Sequence, residues 1–273
     1  MKNKSCRYQE CRPIFMSMQL YYNSYGSESL PPLIILHGLL GSSDNWHSFG
    51  RIFGGHFCTF ILDARNHGRS PHSDIFNYQA MSEDIVEFMR GKNISSVSLL
   101  GHSMGGKTAA LVSMLHPERI DKLIVVDIAP RSYQAHHDRV FDALTSLDLG
   151  MFEYRKDIDE ALSKKIREVP LRQFLVKNLM RDDFGRFHWK MNLEVIEKNY
   201  AQINEELPRD HQFDKPTLFI RGENSDYIQM EDMPVIYKLF PKAKLVTIKN
   251  ASHWVQADAP KEFADTVLDF LSF

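Results

Sequence analysis

Three side chains, far apart in the chain, have the types that acyl transfer needs: a hydroxyl, an imidazole and a carboxylate. The hydroxyl is Ser103, in Gly101-His102-Ser103-Met104-Gly105, a G-x-S-x-G pattern. That pattern suits a nucleophile elbow, a sharp strand-to-helix turn that pushes a serine hydroxyl out of the end of a sheet. The residues two places either side lack a Cβ because strand and helix backbones approach closely there. A serine hydroxyl is a weak nucleophile at neutral pH and needs an adjacent base. His253, in Asn250-Ala251-Ser252-His253-Trp254, is the candidate base, since it follows the last apolar run of strand type.

A carboxylate must orient that imidazole and stabilise its charged form. Two candidates for this acid follow apolar strand-like runs. Asp127 closes Leu123 to Val126 and is the favoured acid; Asp226 follows Thr217 to Ile220 and is the alternative. The tetrahedral intermediate carries an oxyanion, which requires preorganised N–H donors. Met104, directly after the nucleophile, supplies one, and Leu39, on the loop after Leu33 to Leu36, supplies the other. Both donate through the backbone, so their side chains are free to vary.

Other polar stretches read as structural. Asp63 and Arg65, in DARNHGRS, brace a strand-end turn by charge-assisted hydrogen bonds. His37 braces its own loop, and His102 packs inside the elbow. His136-His137 has no third ligand at metal spacing and reads as a surface pair. Lys107 reads as a solvated residue of the elbow helix. Phe184, Phe187 and Trp189 read as lid core, with one or two lining an acyl pocket.

The elements that must position these groups follow from periodicity. Met18 to Tyr25 reads as an edge strand. Leu33 to Leu36, Cys58 to Leu62, Val97 to Leu100, Leu123 to Val126, Thr217 to Ile220 and Lys244 to Ile248 are apolar runs bounded by polar turns. Unbroken apolar runs suit central strands covered on both faces. Helical patterns alternate with them: a short one from about Asn45, then Met81 to Met89, Lys107 to Leu115, Met233 to Phe240, and one opened by Pro260 at its first position. The fold class is therefore α/β, a mostly parallel doubly wound sheet, with the site at the carboxyl ends of the strands. Residues 131–213 lose the strand signal and repeat Ile158, Leu162, Ile166, Val169 and Leu193, Ile196, Tyr200, Ile203, Leu207 at helical steps. They read as a helical lid inserted into a core of residues 18–130 and 214–273, behind an N-terminal extension of residues 1–17. Met16 or Met18 is the expected start.

The 273 residues carry 33 Lys and Arg against 35 Asp and Glu, a formal charge of −2. No basic stripe points to nucleic acid. No apolar run approaches the ~18 residues of a membrane span. Cys6, Cys11 and Cys58 form no metal pattern. Reduced thiols in a cytoplasmic protein are the plainer reading, with a Cys6–Cys11 pair as the alternative. The charged N-terminus lacks the apolar core of a secretory signal.

Taken in order, HGLLGSSDNW, LDARNHGRS, GHSMGGKTA, VVDIAP, RGENSDYI and NASHW resemble the YbfF-type carboxylesterases of the α/β-hydrolase superfamily. The mitochondrial abhydrolase-domain proteins are similar. The resemblance runs from about Leu33 to the C-terminus and implies the α/β-hydrolase fold. It implies a serine hydrolase of acyl esters, with acyl thioesters a further class, needing no metal or organic cofactor. It also implies Ser103 as nucleophile and His253 as base, and it favours Asp127 as acid. Many members of the superfamily instead place the acid in Gly-x-x-Asp after a later strand. Here Ser225 stands at that spacing from Gly222, with Asp226 one step beyond. The expected partner is a small-molecule acyl ester, and the chain is expected to be a monomer or homodimer. The rival readings are a C–C bond hydrolase on the same scaffold and a non-catalytic ligand-binding protein that kept the fold.

Overall fold

Short runs, most of them apolar, become the strands of one seven-stranded sheet, as seen in a computed structural model that describes residues 18–135 and 137–272. In chain order the first half contains β1 (Tyr22–Tyr25), β2 (Pro32–Leu36), α1 (His47–Phe53), β3 (Cys58–Leu62), α2 (Tyr78–Gly91), β4 (Val97–His102), α3 (Met104–Leu115) and β5 (Ile120–Val126). An insertion follows, with α4 (Asp138–Thr145), α5 (Arg155–Ser163), α6 (Val169–Val176), β6 (Leu179–Arg181), β7 (Phe187–Trp189), α7 (Leu193–Lys198) and α8 (Tyr200–Ile203). The sheet resumes with β8 (Thr217–Gly222), α9 (Met233–Leu239), β9 (Ala243–Ile248), α10 (Val255–Asp258) and α11 (Pro260–Ser272).

The strand order is β1-β3-β2-β4-β5-β8-β9. Only β1 is antiparallel to its neighbour. Alternation along β2 shows why the run is apolar throughout. Leu33 and Ile35 pack with Trp46, Phe49 and Phe263 on one face, while Ile34 and Leu36 pack with Met81 and Ala109 on the other. Side chains alternate across a strand, so a strand covered on both faces has no polar position to spare. Six parallel strands also bring their carboxyl ends to one edge, which gathers His37, Asp63, Ser103, Asp127 and the loop after β9.

The insertion differs from the all-helical expectation in three places. Leu179–Arg181 and Phe187–Trp189 pair as an antiparallel hairpin, with Met180 opposite His188. Its turn is organised by Asp182, whose carboxylate accepts the N–H groups of Phe184 and Arg186, and by Gly185 at φ +80. Three-residue strands are too short to show a period of two, so only the turn residues could have signalled the hairpin. The helix expected over Leu193 to Leu207 divides into α7 and α8 at Asn199. The helical stretch from Ile158 to Val169 likewise splits, with Ile166 in the connection between α5 and α6. Ile158, Leu175 and Ile196 of the insertion are buried in the same cluster as Met81 and Ala109 of the core. Cys58 is a buried free thiol; Cys6, Cys11 and the N-terminal extension lie outside the described residues.

Candidate active site

The turn between β4 and α3 holds Ser103 at φ 54, ψ −120, a strained backbone for a residue with a side chain. The flanking glycines are sterically required. A Cβ on Gly101 would lie 2.1 Å from the Gly105 carbonyl oxygen, and one on Gly105 would lie 2.4 Å from the carbonyl oxygen of Leu36. The elbow is tied to the sheet by Ser103 N–H, which donates to the Val126 carbonyl at 2.9 Å.

His253 sits on the loop between β9 and α10, and its Nδ1 donates to Asp127 Oδ2 at 2.7 Å. Asp127 has no exposed surface. A buried carboxylate must have its lone pairs satisfied. Oδ1 accepts the Gly222 N–H at 3.0 Å, and Oδ2 also accepts the Ser225 hydroxyl. The Tyr227 ring stacks on the imidazole, 3.9 Å between centroids and 19° between planes. His102 Nε2 donates to the His253 carbonyl at 2.9 Å, and burial pushes the His102 ring down to about 3, so it stays neutral.

Of the two aspartates, the structure therefore brings Asp127 to the imidazole. Among the described residues Asp226 makes no bond to His253; its backbone carbonyl accepts from Arg131 at 3.2 Å. Ser225, which occupies the Gly-x-x-Asp position, places its hydroxyl on the Asp127 carboxylate. That contribution was missed by the sequence reading, and only the spacing from Gly222 signals it.

Ser103 and His253 border one cavity of about 440 Å³. Ser103 Oγ makes no hydrogen bond among the described residues; catalytic contacts of this kind are often long without substrate and tighten on binding. Leu39 and Met104 line the same cavity. Met104 opens α3, so its N–H has no acceptor within the helix. The Leu39 turn is closed by Gly41 N–H donating to the Gly38 carbonyl at 3.0 Å.

The bracing residues do what their types suggest. His37 Nδ1 donates to the Gly38 carbonyl while Nε2 accepts the Ala64 N–H. Asp63 accepts the N–H groups of Ser43 and Arg69, and the Arg65 guanidinium pairs with buried Asp84 at 2.7 Å. His67, held neutral by burial at about 3, accepts the Leu40 N–H at 3.1 Å.

Three expectations fail. Lys107 is 1% exposed rather than solvated: its Nζ donates to the Glu205 carbonyl at 2.5 Å, and the Tyr133 ring lies 4.9 Å away. The returning segment of the insertion covers α3 there, and burial pushes the ammonium down to about 7. His137 is not a surface residue; it lines the cavity and bonds the Tyr200 hydroxyl. His136 lies outside the described residues. Of the three insertion aromatics, Phe187 is buried in the core with Trp189 packed against it, as expected, but Phe184 is 82% exposed at the hairpin turn and none of the three lines the cavity. Leu171 and Phe174 of α6, with Tyr200 and Ile203 of α8, line it instead. Helical spacing identifies a buried face but not which of two partners it buries against.

Among the described residues no cluster of His, Cys, Asp or Glu could hold a metal ion. Among the described residues no helix is long and apolar enough to cross a membrane either.

A family model described as alpha/beta hydrolase fold matches residues 31–260. The chain is 36% identical over 271 residues to the sn-1-specific diacylglycerol lipase ABHD11 of Mus musculus, covering 96% of this chain and 87% of that protein. It is 32% identical over 244 residues to esterase YbfF of Escherichia coli, covering 88% and 93%. Among solved structures, a marine microorganism esterase superposes with a TM-score of 0.91 at 44% identity, covering 93% of this chain and all of that one.

Proposed function

The chain belongs to the α/β-hydrolase family, and on that premise we propose a serine carboxylesterase that works through an acyl-enzyme. Relatives that carry the names esterase and lipase support a serine hydrolase acting on ester bonds. The single observation that carries the mechanism is the Asp127–His253 pair bordering the same cavity as a serine on a strained elbow.

His253 takes the Ser103 proton at Nε2 as Oγ attacks the ester carbonyl. Asp127 stabilises the imidazolium through Nδ1–H. The oxyanion is held by the N–H groups of Leu39 and Met104. Collapse breaks the C–O bond, and the imidazolium gives its proton to the departing alcohol. Water then repeats the sequence on the acyl-enzyme, and Ser103 recovers its proton. Acyl thioesters fit the same steps, with a thiol leaving.

Apolar and aromatic side chains such as Leu171, Phe174, Tyr200 and Ile203 supply much of the cavity wall, and among the described residues Lys177 and Asp258 are the only Lys, Arg, Asp or Glu side chains that line it. That favours uncharged acyl chains. Ser103→Ala should abolish p-nitrophenyl butyrate turnover, and a fluorophosphonate probe should label wild-type Ser103 with loss of activity. Retained turnover in the variant would end the proposal.

A further inference from the structure

The unexpected hairpin of the insertion delivers one side chain to the catalytic loops. Asn178 lies immediately before β6, and its backbone carbonyl accepts the Lys190 N–H at 2.8 Å, which closes the base of the hairpin. Its side chain is fully buried, and Nδ2 donates to the Leu40 carbonyl at 2.7 Å, across 138 positions of sequence. The Leu40 peptide groups are thereby held at both ends, since its N–H already donates to His67 Nε2 at 3.1 Å. They need holding: Leu40 has φ 58, a left-handed backbone that a leucine adopts only under constraint. The residue directly before it is Leu39.

The other half of the amide argues that this contact is not there for stability. Among the described residues Asn178 Oδ1 is buried without a partner. A buried amide with one unsatisfied oxygen destabilises a fold, and an apolar residue of that size would avoid the penalty. Such local violations concentrate at functional sites. Asn178 is also absent from the cavity wall, so it does not shape the space that substrate fills.

We propose that Asn178 is a positioning residue: through its bond to the Leu40 carbonyl, the insertion holds the Leu39 turn in the geometry that binds the oxyanion. The insertion then contributes to the acyl-transfer step itself as well as enclosing substrate. This rests on the serine-hydrolase reading, in which the Leu39 N–H is an oxyanion donor.

The test compares wild type, Asn178→Ala and Asn178→Ser on p-nitrophenyl acetate, butyrate and octanoate, with thermal melting of each. Loss of one oxyanion donor costs about 10²–10³ in kcat. A donor that is displaced but retained should cost less, about 10- to 100-fold in kcat, with KM within about threefold. The loss should be equal for all three acyl chains, and the rate of fluorophosphonate labelling should fall by the same factor. A residue that merely shapes the insertion would move KM and change the chain-length preference. The proposal is overturned if kcat stays within threefold of wild type, or if the loss depends on chain length. It is also overturned if neither variant melts cooperatively, which assigns Asn178 to the fold alone. A wild type that neither turns over ester nor takes the probe sinks the hydrolase reading instead, before any variant is read.

Discussion

Asp127→Asn should inactivate the protein by forcing the wrong tautomer on His253, and the orientation of the new amide can be worked out from its neighbours. Oδ1 of Asp127 accepts the Gly222 N–H at 3.0 Å, so the amide oxygen must take that place. The amide nitrogen then occupies the Oδ2 position, 2.7 Å from His253 Nδ1, and it can only donate. Nδ1 must become the acceptor, which moves the imidazole proton to Nε2, the nitrogen that has to receive the Ser103 proton. The Ser225 hydroxyl can turn and accept from the new amide, so the fold should survive. An equivalent tautomer fault costs about 10⁴ in kcat, or about 5 kcal/mol of transition-state stabilisation. Asp226→Asn should stay within about threefold of wild type, on the scale of a surface change that touches no reacting group. The assay is kcat/KM for p-nitrophenyl butyrate, beside the second-order rate of fluorophosphonate labelling. If Asp127→Asn keeps more than a tenth of the activity, or if Asp226→Asn loses more, the assignment of the acid is wrong.

Three further outcomes follow from contacts around the site. His102→Leu removes the 2.9 Å bond to the His253 carbonyl and should lower kcat about 10-fold, whereas His102→Gln keeps an N–H near the same place and should recover most of it. Gly105→Ala places a Cβ 2.4 Å from the Leu36 carbonyl oxygen, so either the elbow or β2 must shift; a melting experiment should register a loss of about 3 kcal/mol. Lys107 titrates near 7 in the fold against an ordinary value of 10.5, so above pH 7 the native state sheds a proton that the unfolded chain still binds. Its contribution is least favourable below pH 7 and improves as pH rises toward 10.5, by about 2 kcal/mol between pH 7 and 9. Urea unfolding of wild type and Lys107→Met across that window should show the rise in wild type alone.

What could be read from the sequence was local. Strands such as Leu33 to Leu36 announce themselves through unbroken β-type runs, and the elbow is written into five consecutive residues, with Gly101 required by the turn itself and Gly105 by the neighbouring β2 backbone. The acid was ambiguous for a topological reason. β5 and β8 are parallel neighbours, with Val126 beside Ile220, so Asp127 and the loop holding Asp226 emerge side by side. No spacing rule separates two aspartates that leave adjacent strands at one edge. What brings Asp127 to the imidazole is its φ of 51, a backbone turn that only the packed structure imposes, together with donors 95 and 98 positions downstream.

The insertion was harder to read because its residues take their roles from partners in the core. Lys107 looks like any helix lysine until Glu205, 98 positions on, arrives above it. The hairpin strands are three residues each, below the length at which alternation can be seen, yet the residues flanking them anchor the insertion to the loops at the carboxyl ends of the strands. Lys190 at the end of the hairpin pairs with Asp44, at 2.8 Å, and Asn192 N–H reaches the Asn66 carbonyl at 2.9 Å. Together with Asn178 on Leu40, these contacts tie the insertion to the loops after both β2 and β3. On the proposed mechanism, an insertion held so closely cannot reshape the cavity freely without also disturbing the loop that carries the Leu39 N–H. Substitutions that alter chain-length preference alone should therefore fall on α6 and α8, whose Leu171, Phe174, Tyr200 and Ile203 face the cavity, and not on the hairpin.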